Sequence, residues 1–491
     1  MSQLVFPTQL FYNTKHLDKN KQIYLIEEPR YFTDFNFHKL KLAYHRATMK
    51  KYFDMLVKAN FKVKYIECSQ VTNEWYKSLK TNTNTVTIIY PGDFKLEKKM
   101  ETLFGKKLII ISNQNFLVKP EELDFIKKQI WKNSRYSHDE FYKYQRKKLN
   151  ILVDSAGKPD GGSWSFDKAN RLPLPKTIKV PKTHGPIKLD KYKKEAIKYV
   201  ESNWPDNYGS LDNFIYPIDN KGANTCLNKF MKERLGNFGA YEDAVSDAEP
   251  FVFHSVISPM MNIGILPDNE VVNITYNYYL NHKKSIPIES FEGFIRQVIG
   301  WRNYVYTIYL LDGEKLYESN QLKHKNKLNE KFWTGETKIV PVDSIIHKIV
   351  KYAYAHHIER LMYLGNFMLL CQVDPKEVYR IFMEWSIDSY EWVMIPNVMG
   401  MSQYSSPIMM TRPYFSSSNY IGKMSNWKVS TKDTWPKIWD ALYYNFIDVN
   451  NQAFRKNYAI AQQVKHWDTK SPEEQKALKK IAKEFIASTF G

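Results

Sequence analysis

The chain has 491 residues, a formal net charge of +19 and a pI near 9.3. Hydrophobic residues make up 43% and aromatic residues 15%, which excludes general disorder and allows two or three domains with sizeable cores. The charge favours polyanionic partners, although abundant Lys, Asn, Ile and Tyr also fit an A·T-rich coding bias. Cys68, Cys226 and Cys371 lie far apart and form no C-x-x-C pair. They supply neither a disulfide framework nor a metal site, and a reducing compartment fits. The first seven residues lack the regions of a signal peptide, and no segment reaches the roughly 18 apolar residues of a membrane span. These features predict a soluble intracellular protein, cytoplasmic or nuclear.

In chain order, short β-type runs occur at 3–6, 23–26, 63–66, 85–90 and 107–111, with a helical stretch at 38–59. That rhythm predicts an N-terminal α/β domain with a doubly wound, Rossmann-like parallel sheet. No G-x-G-x-x-G follows the first run, but a nucleotide-like ligand could still sit at the carboxyl ends of the strands. The segment 146–188 carries Gly157, Gly161, Gly162, Pro173, Pro175, Pro181 and Pro186, and reads as an extended linker anchored by Trp164 and Phe166. Helical periodicity then predicts helices at 189–203, 222–234, 239–247, 287–311, 343–371, 375–391 and 472–488. Pro, Gly, Ser and aromatics break any period over 392–424, which reads as loops lining a site. The expected division is an α/β domain at 1–135, a linker at 136–200 and an all-helical domain at 201–491.

The run from Tyr354 to Leu361 carries the most chemistry. On one turn of a buried helix, His356, His357 and Arg360 would converge on one rim. Imidazole moves protons near neutral pH, and a guanidinium holds an anion bidentately. Adjacent histidines also serve packing, and the run alone leaves both readings open. Neighbouring helix positions point about 100° apart, so the pair is a poor chelate. Residues 253–259 place His254, Ser255 and Ser258 ahead of a helix start, fit for phosphate oxygens or for plain capping. Residues 294–304 combine aromatics with Arg296 and Arg302, fit for stacking a ring and meeting phosphate. Asp388 and Trp392 fall beside the predicted loops.

Together these stretches resemble the cryptochrome/photolyase superfamily, nearest its bacterial iron–sulfur branch, over nearly the whole chain. The resemblance rests on Gly161 to Asp167 with Asn170 and Arg171, Gly239 to Ala244, and His254-Ser255-x-x-Ser258-Pro259. It continues through Gly300-Trp301-Arg302, Phe332 to Gly335, His356-His357, Pro396 to Gln403, and Pro413 to Ile421. It implies an antenna-type α/β domain and a helical domain holding FAD. In that family, excited reduced flavin gives an electron to a UV-induced pyrimidine dimer flipped out of DNA, then recovers it. The implied partner is UV-damaged DNA, with no membrane, and the implied state is a monomer.

By this resemblance Tyr241, His254, Ser255, Ile257, Ser258, Asn262, Gln297 and Asp388 bind FAD. His356, His357, Arg360 and Tyr414 act on the lesion, and Arg171, Trp301, Arg302, Met401 and Tyr420 contact DNA or lesion. The His-His-x-x-Arg pattern implies repair of (6-4) photoproducts in preference to cyclobutane dimers. A cryptochrome-type blue-light receptor without repair is the alternative. Three departures matter. The branch's cluster cysteines fall at Pro341, Lys428, Thr431 and Lys437, so no [4Fe–4S] cluster is expected. Its Trp-Tyr electron relay falls at Ile381-Phe382, leaving Trp333 and Trp392 as another route. Two antenna-binding carboxylates fall at Thr8 and Tyr31, which leaves that chromophore in doubt.

Overall fold

The computed structural model describes residues 1–430 and 432–490. The N-terminal half is built on five parallel strands: β1 (Ser2–Val5), β2 (Gln22–Ile26), β3 (Val63–Ile66), β4 (Val86–Ile89) and β5 (Leu108–Ile111), in the order β3-β2-β1-β4-β5. β1 and β4 are buried along their whole length, as expected of strands covered on both faces. Helices Lys39–Lys58, Asn73–Thr81 and Phe94–Phe104 make the crossovers. Beyond a two-stranded hairpin (Trp131–Lys132 with Arg135–Tyr136) and the extended linker, the rest of the described chain is mostly helical, so a doubly wound sheet followed by a helical part is the observed architecture.

At the carboxyl ends of the strands Arg30 is held by Asp93 at 2.6 Å and by Glu391 of the helical half at 2.6 Å. A small space of about 10 Å³ lies beside Arg30, Tyr31 and Lys41, enough for about one water. Thr8 and Tyr31 are both buried. Lys41 crosses the same boundary, donating to the carbonyls of Met383 (3.0 Å) and Ser389 (2.6 Å).

The linker is pinned rather than free. Helix His138–Leu149 leads into it and packs on the segment Arg296–Arg302, while helix Lys191–Asn203 returns the chain to helix Lys39–Lys58. Trp164 lies under the Arg146 guanidinium at 5.0 Å, and the Phe166 amide donates to Glu292 at 3.0 Å. Arg46 clamps the returning helix through Glu195 (2.6 Å), Glu27 (2.9 Å) and the Tyr199 ring (3.8 Å).

Several helix boundaries differ from the periodicity. Residues 239–247 form turns after the short helix Leu235–Phe238, because Gly239 packs directly on the backbone of Ser290. The single helix expected at 343–371 is broken. Helix Val340–Tyr352 ends at Ala353, which takes a left-handed conformation (φ 50°), and helical structure resumes only at His357. Helix Pro375–Trp385 ends before Asp388, and a new one starts at Glu391. The stretch expected as loops from 392 is helical as far as Ser402.

Candidate active site

A cavity of about 270 Å³ opens in the helical half, just below the roughly 300–1,000 Å³ usual for ligand pockets. Three wide-turn π-helical segments converge on it: Arg296–Arg302, Glu359–Gly365 and Ile395–Ser402. Such segments are rare and cluster at functional sites because the extra residue re-aims side chains. Here they turn Trp301, Arg302, Arg360 and Ser402 to the wall. Gly365 permits one of them, since a Cβ there would strike Ser402 and the Arg360 carbonyl.

Asp388 is the hub of the polar wall. Its Oδ1 accepts from Arg360 Nη2 at 2.7 Å, its Oδ2 from the Ser258 hydroxyl at 2.6 Å, and its carbonyl from Asn262 Nδ2 at 2.6 Å. Arg360 also donates through Nε to the Ala355 carbonyl at 2.6 Å. The guanidinium therefore bridges the helix break to the loop that carries the acid. Ser255, Ile257 and His254 complete this side of the cavity, ahead of helix Ser258–Asn262. Arg302 is fixed by Asp268 at 2.5 Å and lies over Phe116 (5.0 Å) and Trp392 (4.8 Å). Its Nη2 is buried and has no hydrogen-bond partner among the described residues.

The two histidines part company. The His356 N–H is capped by Glu359 at 2.9 Å, and Glu359 pairs with the buried Lys348. This cap sends the His356 ring inward, stacked on His254 with centroids 4.2 Å apart, behind the lining rather than in it. The expectation that His356, His357 and Arg360 share one rim is thus corrected: His356 precedes the second helix instead of lying on it. Burial lowers His254 to about 3 and holds His356 well below its ordinary value, so both rings are neutral. His357 lies deep in the protein but is exposed at the cavity wall beside Arg360. Burial, then the Arg360 charge, lowers it to about 4.

A second polar group faces Gln297. Glu242 accepts from Gln297 Nε2 at 2.6 Å and from Asn170 Nδ2 at 3.0 Å, and both Glu242 and Gln297 line the cavity. Five of the other expected site residues, Arg171, Tyr241, Met401, Tyr414 and Tyr420, stand apart from the lining. Arg171 is exposed and paired with Asp167. Tyr414 and Tyr420 are half-buried and Met401 is buried. Tyr241 stacks on Phe253 at 5.6 Å in a small separate cluster with the linker. Trp301 lines the cavity and stacks on His138 at 3.8 Å.

Of the two expected electron carriers, Trp392 lines the cavity and Trp333 does not. Trp333 belongs to an aromatic cluster with Trp385 (5.7 Å) and Tyr208 (5.5 Å). Trp385 shares a helix with Phe382, which lines the cavity. Among the described residues no group of three or more His, Cys, Asp or Glu is placed to hold a metal ion. Thr431 lies outside the described residues. No helix among them is long and apolar enough to cross a membrane.

Comparison with known proteins agrees with this architecture. A family model described as deoxyribodipyrimidine photo-lyase-related protein matches residues 3–216. A (6-4) photolyase of Agrobacterium fabrum is 33% identical over 469 residues, covering 91% of this chain and 91% of that protein. The chain belongs to the cryptochrome/photolyase superfamily. Among solved structures, a Synechocystis cryptochrome superposes with a TM-score of 0.58 at 13% identity, covering 98% of this chain and 99% of that one. An archaeal photolyase from Sulfolobus tokodaii, solved with two FAD molecules, gives 0.52 at 11% identity over 99% of this chain and all of that one (100%). At these identities the two structures speak to fold alone.

Sequence reasoning missed Glu242, Glu359 and Lys348 as parts of the site. Glu242 stood inside the Gly239-to-Ala244 motif, so a signal existed. Glu359 and Lys348 carried none, because their role depends on the helix break.

Proposed function

We propose that this protein is a light-driven photolyase that uses FAD to split UV-induced pyrimidine dimers in DNA, with (6-4) photoproducts as its substrate. One observation carries the reading: His357 is presented to the cavity beside Arg360, while His356 is withdrawn behind it. The donor set suits FAD. Arg302 Nη2, the hydroxyl of Ser255 and the amide of Asn262 would hold its polar groups, while Phe238, Phe294 and Trp392 would supply flat apolar walls. Arg360, held by Asp388, would add a cation to that wall.

FAD held there would supply the light-driven one-electron chemistry. The chain's own work is positional and protonic. Its aromatic walls exclude water, and its net charge of +19 attracts the phosphate backbone. His357 is neutral at pH 7 in the free protein, and an anion brought near the ring raises its pKa. The imidazole then holds a proton at the cavity wall, where hydroxyl transfer between two bases needs one. His356, neutral and stacked, backs that ring.

A repair assay tests the proposal. Flavin-loaded, reduced protein is illuminated with blue light on oligonucleotides bearing either a (6-4) photoproduct or a cyclobutane dimer. Loss of the (6-4) signature supports the proposal, and two unchanged lesions refute it. The receptor reading draws on Phe382, whose ring in the cavity wall is too hard to oxidise to act as an electron donor. Flavin binding with both lesions intact would favour it.

A further inference from the structure

Gln297 has no freedom in how its amide points. Its Nε2 donates to Glu242 Oε1 at 2.6 Å and lies 3.4 Å from the Gly293 carbonyl, so both amino hydrogens face acceptors. Among the described residues its Oε1 takes no donor, and the side chain lines the cavity. Glu242 is itself fixed from the far side by Asn170 Nδ2 at 3.0 Å, with Arg296 Nη2 3.8 Å away. An unliganded glutamine amide usually rotates between two nearly isosteric settings, one presenting a donor and the other an acceptor. Here one setting would turn a carbonyl against a carboxyl oxygen and a backbone carbonyl.

We infer that Glu242 is a positioning residue that locks the Gln297 carbonyl toward the cavity, so that the site offers an acceptor there and selects a ring with an imide N–H. The inference rests on the proposed function for its ligands. The flavin ring and a thymine base each carry an N–H between two carbonyls, and both are cyclic imides. A ring methylated at that nitrogen keeps its shape and loses the donor. Burial pushes the Glu242 carboxyl up to about 8. A proton held there finds its acceptor in the unpartnered Oδ1 of Asn170 after an amide flip, leaving Oε1 to accept from Gln297.

The experiment has a ligand-free arm and two binding arms. In the free protein, exchange of the Gln297 side-chain amide hydrogens is followed by NMR in the wild type, Glu242→Gln and Glu242→Met. Exchange at least about tenfold faster is expected in Glu242→Met, with Glu242→Gln close to the wild type because its amide oxygen still accepts from Gln297; unchanged exchange in Glu242→Met overturns the lock. In the binding arms, dissociation constants are measured for FAD against N3-methyl-FAD. The same comparison uses an oligonucleotide whose (6-4) dimer is or is not N3-methylated on its 5′ base. Methylation of one of the two ligands is expected to weaken wild-type binding about tenfold, and the ratio to fall within about twofold in Glu242→Met. The ligand that shows it is the ring Gln297 meets. Equal binding of both methylated ligands by the wild type, or discrimination retained in Glu242→Met, overturns the selectivity. A protein that binds neither parent ligand refutes the proposed function, while the exchange arm still decides the lock.

Discussion

Removing the Asp388 carboxylate gives the most direct measure of how the cavity wall is held. The Arg360–Asp388 pair is 2.7 Å long, with side chains only 14% and 8% exposed. Deleting one member of such a pair leaves a nearly buried charge unpaired, which costs about 3–5 kcal/mol. In Asp388→Ala the Arg360 Nε keeps the Ala355 carbonyl at 2.6 Å and some exposure, which places the loss near the lower end, about 3 kcal/mol. Asp388→Asn is milder. Its amide oxygen can face Arg360 and its amino group Ser258, so only the charge-assisted part is lost, about 1–2 kcal/mol. Arg360→Met should cost about as much as Asp388→Ala, because it strands the acid instead. The double variant strands neither charge and should lose no more than either single one, a coupling of about 3 kcal/mol. Urea unfolding of the flavin-free protein, followed by tryptophan fluorescence, measures all four. Additivity within about 0.5 kcal/mol would refute the reasoning, since the pair would then be two independently solvated groups.

Three further outcomes are expected. His357→Ala should lower (6-4) repair at least about 100-fold while leaving FAD affinity within about twofold, as removal of a proton donor does; full repair by that variant removes His357 from the chemistry. His38 caps helix Lys39–Lys58 through Nδ1 and donates from Nε2 to the Ile349 and Val350 carbonyls. Burial lowers its pKa to about 4 against an ordinary 6.5. The unfolded chain thus binds the extra proton between those values, so the contribution is whole above pH 6.5 and lost as pH falls toward 4. It amounts to about 3 kcal/mol in all, and a urea midpoint as high at pH 4.5 as at pH 7 would contradict it. In Gly239→Ala the new Cβ would lie 2.6 Å from Ser290 Cα. A rigid backbone contact of that kind should cost about 1–3 kcal/mol, seen as a lower melting temperature, and an unchanged melt would show that the turn can move.

The five strands were legible because each is a short apolar run bounded by breakers, and a strand covered on both faces needs nothing else. Helices Lys39–Lys58, Lys191–Asn203 and Pro472–Phe490 were legible for a similar reason, since their apolar spacing is local. The family's motifs were legible too, and they named most of the residues that line the cavity. What the local pattern could not show was backbone geometry set from outside the segment. Nothing in the order of residues 340–365 announces that Ala353 turns left-handed, or that Glu359 caps His356 while paired with Lys348. That break parts two histidines that adjacency had placed together. The three π-helical segments are likewise products of packing, where one extra residue per turn is tolerated because a neighbouring surface receives it.

The residue types alone determined a basic two-part chain with proton-moving and anion-holding groups in a helical region. Tertiary structure decided which of them meet. Glu242 and Gln297 are 55 residues apart in the chain, and Arg30 and Glu391 come from opposite halves. Hydrogen bonds and buried ion pairs act only over a few ångströms, so no one-dimensional pattern contains them. The sequence carried the chemistry, and the fold chose which histidine faces the cavity.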